Sequence, residues 1–114
     1  MIVLVCGDRE WNDRETIAER LKVLPPNTVI LEGGCRGVDL LAKEIAINLG
    51  LAVREFPANW ALHGKAAGPR RNRAMLDEHP NLVLAFHSNL AKSKGTKDTI
   101  NEAKRRGIPV ELIE

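Results

Sequence analysis

The sequence predicts an α/β fold: a single Rossmann-like three-layer domain, residues 1–114, around a five-stranded parallel sheet in the order 3-2-1-4-5. Three observations carry this. Apolar runs alternate with helical patterns from end to end, which is the signature of right-handed βαβ units. The first, second and fourth runs are almost wholly apolar, as strands covered on both faces must be, whereas the third carries Arg54 and Glu55 and the fifth alternates through Val110, Glu111 and Leu112. Edges at strands three and five fit 3-2-1-4-5, while the flavodoxin-like order 2-1-3-4-5 would leave the apolar second strand exposed. Finally, two apolar runs empty into glycine-containing loops that open helices, at Gly33-Gly34-Cys35-Arg36-Gly37 and at Gly95-Thr96.

Each element has its own local reason. Ile2 to Cys6 is a continuous apolar strand, and Asn12-Asp13-Arg14-Glu15 is a capping-box-like start for a helix with Ile17, Leu21 and Leu24 on one face. Pro25-Pro26-Asn27 stops it. Thr28 to Leu31 is the second strand. The second helix, Val38 to Leu49, stacks Val38, Leu41, Ala42, Ile45, Ala46 and Leu49 on one stripe and ends at Gly50. Leu51 to Phe56 is the third strand, Pro69 to about His79 the third helix, Leu82 to Phe86 the fourth strand, Thr96 to Arg106 the fourth helix, and Ile108 to Ile113 the fifth strand. The connection from Pro57 to Gly68 exceeds the usual length for such units, and long loops in compact domains tend to bind ligands or act as lids.

Composition bounds the function. At 114 residues, 44% hydrophobic and 28% charged, the chain has the balance of an ordinary globular protein, and no apolar run approaches the roughly 20 residues of a membrane span. Met1 to Cys6 is too short for a signal-peptide core, so a cytoplasmic protein with no membrane partner is expected, with Cys6 and Cys35 as free thiols. His63, His79 and His87 lack metal-ligand spacing and no Cys/His cluster exists, so no metal and no cofactor is expected. A formal charge of +2 is small for a dedicated nucleic-acid binder.

The order 3-2-1-4-5 places the switch point between strands one and four, so the loops after them, Gly7 to Trp11 and His87 to Gly95, face each other across the crevice where open α/β sheets bind ligands. A loop that opens a helix leaves backbone N–H groups unpaired beside the positive end of the helix dipole, a site for phosphate. The Gly33-Gly34-Cys35-Arg36-Gly37 loop is neither a GxGxxG fingerprint nor a Walker A motif, which argues against dinucleotide redox chemistry and P-loop hydrolysis.

Several segments in order, Cys6-Gly7-Asp8-Arg9-Glu10-Trp11, Leu31 to Asp39, Phe56-Pro57-Ala58-Asn59-Trp60, His63 to Pro69, Arg71-Asn72 with Met75, and Gly95-Thr96, resemble the YspA/YpsA-like branch of the SLOG superfamily across nearly the whole chain. The resemblance implies a Rossmann-like fold that binds a nucleotide or a nucleotide-derived, NAD-related ligand as a sensor or sequestering module. LOG phosphoribohydrolases in the superfamily carry an Arg-Lys pair before a Met and a Pro-Gly-Gly-x-Gly-Thr-x-x-Glu stretch. Here Arg71 matches the arginine, Asn72 replaces the lysine, and the second motif is reduced to Gly95-Thr96 with Asp98 at a carboxylate position. Those departures weigh against the alternative, a phosphoribohydrolase cleaving nucleoside 5′-monophosphates, in which Arg71 and Asp98 are the catalytic candidates. A more distant resemblance to the DNA-processing protein DprA permits single-stranded DNA binding through Lys65, Arg70, Arg71 and Arg73, a third possibility that low aromatic content disfavours.

The candidate ligand-binding set is Gly7, Arg9, Gly33, Gly34, Arg36, Asp39, Arg71, Asn72, Gly95 and Thr96. Arg71 points partly toward the apolar side of its helix, where a guanidinium needs phosphate or a carboxylate such as Asp8, Asp39 or Glu32. Asp39 can cap its helix, pair with Lys43 or bind a ribose hydroxyl. Thr96 can serve as N-cap and as ligand donor, and Asp98 can stabilise an oxocarbenium-like state or simply favour the helix dipole. Trp60 and Trp11 can each stack a base or plug against the core or a partner subunit, and two loop tryptophans on a small domain suggest a homo-oligomer. His63 has no nameable partner for a role as general base.

Overall fold

Strand β1 (Ile2–Gly7) lies at the centre of the sheet, and its alternation decides what each layer packs against. A computed structural model describes residues 1–114. Val3 and Val5 face one layer, formed by α1 (Arg14–Leu21) and α2 (Val38–Asn48), where Ile17, Leu21, Val38, Ala42 and Ile45 cover them. Leu4 and Cys6 face the other, where Met75 and Leu76 of α4 (Ala67–Leu76) meet Ile100 and Ala103 of α5 (Gly95–Arg105). The same period-two split recurs in β4 (Leu82–Phe86), with Leu84 and Phe86 on the first side and Val83 and Ala85 on the second. Val3, Leu4, Val5, Val83, Leu84 and Phe86 are fully buried, so each removes roughly 1.5–3 kcal/mol worth of apolar surface from water.

The sheet is parallel throughout and ordered β3-β2-β1-β4-β5, with β2 (Val29–Glu32), β3 (Ala52–Glu55) and β5 (Val110–Ile113) as the remaining strands. It is a Rossmann-like arrangement in the predicted order. Register aligns Gly7 with Phe86, so β1 and β4 end side by side and their exit loops diverge over one rim.

The element bounds differ from the sequence expectation in instructive places. Helix α4 begins at Ala67, two residues before Pro69, because proline lacks only an N–H that the first helical turn leaves unpaired anyway. It ends at Leu76; His79 takes φ +56 and Pro80 follows. The long connection is structured: Asn59 caps the short helix α3 (Trp60–His63) by accepting from the Leu62 N–H, and a 3₁₀ turn spans Gly64–Ala66. Helix α5 starts at Gly95, and its capping acceptor is Ser93 Oγ, which receives the Thr96 N–H at 3.1 Å; Thr96 sits inside the helix rather than capping it. No helix is long and apolar enough to cross a membrane.

Candidate functional site

At the C-terminal ends of β1, β2 and β4 a cleft opens between the Gly7 to Arg9 loop and the first turn of α5. Its narrow throat is lined by Gly7, Arg9, Asp39, Arg71, Asn72, Gly95 and Thr96, together with Cys6 and Cys35. A wider chamber of about 290 Å³ adjoins it, bounded by Arg9, Trp60, Lys65, Arg71, Asn72, Lys94, Gly95 and Asp98. A second chamber of about 370 Å³ lies across Gly95, bounded by Asp8, Arg9, His87, Ser93, Lys94 and Thr96. The sheet topology brings these residues together, since α4 and α5 flank one face and the loops after β1 and β2 close the other.

Arg71 is anchored by neutral groups. Its Nη1 donates to the Gly33 carbonyl at 2.6 Å and to Phe56 O at 3.4 Å, and its Nε donates to Asn72 Oδ1 at 2.9 Å. Nη2 has only Cys35 Sγ, a weak acceptor, at 3.8 Å. None of Asp8, Asp39 or Glu32 forms an ion pair with it. The guanidinium is held in place without an ion pair, although Asp39 lies near enough for the two charges to act on each other, and it lines the throat beside Cys35. Gly33 is what admits it: a Cβ there would lie 2.7 Å from Arg71 Cζ. Arg9, Lys65 and Lys94 around the opening also have no hydrogen-bonded or ion-paired partner in the chain.

Asp39 organises the loop. Its Oδ2 accepts from the N–H groups of Gly33 at 3.1 Å and Cys35 at 3.2 Å, while Lys43 pairs instead with Glu55. Burial pushes the Asp39 carboxyl up to about 6, against the opposing pull of the Cys35 N–H, Arg71, the Gly33 N–H and Arg9. Cys6 and Cys35 are both free thiols, and burial, helped by the negative charge of Asp39, pushes the Cys6 thiol well up.

Three other candidates sit differently. The Gly34 N–H turns away from the cleft to Glu32 Oε1 at 2.6 Å. Arg36 is exposed, pairs with Glu10 and borders a separate groove with Trp11 and Leu40. Asp98 lines the wider chamber, but Asn72 Nδ2 donates to its Oδ2 at 3.3 Å and Arg73 Nη1 stands 3.6 Å from the same oxygen. Among the aromatics, Trp11 is a core plug: it meets Phe86 edge-on at 5.8 Å between centroids and its Nε1 donates to Asp13 O. Trp60 is half exposed and walls the chamber, resting on Gly68. His63 borders none of these chambers.

Two features have little sequence signal. Glu32, at the end of β2, is fully buried, and its Oε2 has no donor within reach. Burial and the adjacent Glu55 carboxyl raise its pKa well above the carboxylate range, so the group favours its protonated form beside Glu55. His87, at the end of β4, is nine-tenths buried and lines the second chamber. An apolar strand leading into a lone histidine reads like any strand terminus.

Comparison with known proteins agrees with this architecture. Over 98% of its length the chain superposes on DNA processing protein A (DprA) from Streptococcus pneumoniae with a TM-score of 0.79 and 18% identity, a likeness of fold; it spans half of that chain. In sequence it is 36% identical to the Gene 61 protein of Mycobacterium phage D29 over 117 aligned positions, 95% of this chain and 92% of that protein. The profile of one family, YAcAr, matches residues 1–63. The chain belongs to that family, the YspA, cpYpsA-related SLOG family.

Proposed function

We propose that the protein binds a nucleotide or nucleotide-derived small ligand in the cleft between the β1 and β4 loops, as a sensor or sequestering module. The observation that carries this is Arg71, a cation held in the cleft wall by hydrogen bonds to neutral groups with no ion pair, and with one nitrogen that has only a thiol beside it. A charge so placed is stabilised when an anion arrives, and the first-turn N–H groups of α5 add a dipole of the same sign. Phosphate contacts fall to Arg71, Arg9, Lys94 and the Gly95–Thr96 turn, a ribose hydroxyl to Asp39, and a base to the face of Trp60. Thermal shifts with AMP, ADP, ADP-ribose and NAD⁺ test the reading: at least one is expected to stabilise the protein, and a flat panel rejects it.

A second reading is hydrolysis of the N-glycosidic bond of a nucleoside 5′-monophosphate, favoured by one observation, that Asp98 shares the wider chamber with Arg71 and Asn72. Water would add to the anomeric carbon as the bond to the base breaks, giving free base and ribose 5-phosphate, with Asp98 stabilising the cationic sugar. Against it, the Asp98 carboxylate is already engaged by Asn72 and Arg73. Release of free base from AMP, absent in Asp98→Asn, supports the enzyme; binding without release supports the module.

A further inference from the structure

We propose that His87 contacts the ligand, completing a second anion subsite across Gly95 from the Arg71 chamber, and that the ligand therefore carries a diphosphate rather than a single phosphate. The proposal rests on the nucleotide-binding reading and deepens it by naming the ligand class: a nucleoside diphosphate or its esters.

The imidazole comes first. Its Nδ1 accepts the Asn89 N–H at 3.0 Å, so in the neutral ring the proton sits on Nε2. Nε2 has no partner in the protein, yet it is not among the sealed-off polar atoms. His87 is only 9% exposed and borders the chamber of about 370 Å³, and its one free polar atom is an N–H donor. Thr96 repeats the situation. It is 5% exposed, lines the throat and this chamber, and its hydroxyl is unpaired. Two buried donors without acceptors, beside the first turn of an eleven-residue helix, are an arrangement that a bound anion completes.

The charges agree. Arg9 and Lys94 border both chambers and have no ion-pair partner, forming a cationic waist between them. Asp8 is the one carboxylate of the second chamber, and the Glu10 N–H already occupies its Oδ1. Arg71 and His87 line different chambers, which meet at Arg9, Lys94 and Gly95. Two linked phosphoryl groups straddling the waist satisfy both.

Affinities of AMP, ADP and inorganic pyrophosphate, measured by calorimetry on the intact chain, test this. The expected result is ADP binding at least tenfold tighter than AMP, with pyrophosphate measurable on its own; pyrophosphate without an ADP preference would point to a free diphosphate site and overturn the nucleotide-linked class. The discriminating variant is His87→Asn, whose Oδ1 can keep the bond from the Asn89 N–H while the cavity donor is lost. It should weaken ADP at least tenfold and AMP less than threefold, while His87→Gln, which offers an N–H near the Nε2 position, should recover part of the loss. Equal loss for AMP and ADP, or none for either, overturns the proposal. Should the variants fold poorly, ¹⁵N spectra of the wild-type imidazole decide it: an Nε2–H tautomer whose Nε2 resonance moves with pyrophosphate supports the contact, and an unmoved resonance refutes it. If AMP binds and ADP is no tighter, only this inference fails; if AMP, ADP and pyrophosphate all fail to bind, this inference is overturned, and the nucleotide-binding reading falls with it when ADP-ribose and NAD⁺ are silent as well.

Discussion

Replacing Arg71 by alanine should separate the two jobs its guanidinium does. In the unliganded protein it supplies the hydrogen bonds to Gly33 O at 2.6 Å and Asn72 Oδ1 at 2.9 Å. Gly33 and Asn72 are buried but Arg71 lines the cleft, so water can take the guanidinium's place and losing the two bonds should cost about 1–2 kcal/mol. Unfolding entropy for 114 residues makes each kcal/mol worth about 4 °C, so the melting temperature should fall by about 4–8 °C. Ligand binding should suffer more, because a charge-assisted contact to phosphate is worth about 2–3 kcal/mol, or roughly a hundredfold in Kd. ADP at 100 times the wild-type Kd stabilises the wild type by about 2.7 kcal/mol, a shift of about 11 °C. The same concentration sits near the variant's Kd and yields about 0.4 kcal/mol, under 2 °C. Differential scanning fluorimetry with and without ADP reads both effects. Arg71→Lys should fall between, since an ammonium retains the charge without the planar fork that spans the Gly33 carbonyl and Asn72. An Arg71→Ala protein that keeps the wild-type ligand shift, whatever its baseline, would remove Arg71 from the site and refute the reasoning.

Gly33→Ala should mimic part of that loss without touching Arg71 itself: the new methyl collides with the guanidinium, a flexible side-chain end that can swing away, so ADP affinity should drop at least fivefold while stability changes by less than about 1.5 kcal/mol, as calorimetry and denaturant melts would register. Gly37→Ala should be far more damaging, because Gly37 sits at φ +78 and a Cβ would lie 2.6 Å from the Arg9 carbonyl carbon, backbone that cannot swing aside; a loss of about 2–4 kcal/mol in urea unfolding is expected. Glu32→Gln should stabilise the protein at alkaline pH. The folded Glu32 carboxyl holds its proton above the range where the unfolded one ionises, so the folded state binds more protons and wild-type stability falls as pH rises through that window. Glutamine supplies a permanent N–H to Glu55, so the variant should gain on the order of 1–3 kcal/mol over wild type at pH 9 and nearly nothing at pH 5; no difference between the two pH values would mean that Glu32 is ionised when folded.

The sheet order was legible because solvent exposure writes itself into strand composition. Arg54, Glu55 and Glu111 can only be accommodated where one face or one edge is open, and β3 and β5 are the edges. The place of Arg71 in the cleft was legible for a related reason: a cation near an apolar helix face needs a partner that the local sequence does not supply. What the sequence hides is the partner chosen when several are available. Arg36 lies in a glycine-rich loop that looks phosphate-binding, yet Glu10, 26 residues away, reaches it across the other side of the loop. Asp39 offered three roles in sequence, and the structure adds one that none of them named, pinning the amides of Gly33 and Cys35, because the chain doubles back over it. Glu32 and His87 stayed silent for want of any periodic signature. Their chemistry arises from β2 meeting β3 and from β4 ending beside β1, contacts that no local window contains.

The most direct test of the central claim is the position of a phosphate in a crystal soaked with ADP. Density for a phosphoryl group within hydrogen-bonding reach of Arg71 Nη2 and of the Gly95 amide or the Thr96 hydroxyl is the predicted result. Nucleotide seated in the groove beside Arg36, or a fully occupied ligand that leaves the cleft between the β1 and β4 loops untouched, would contradict it.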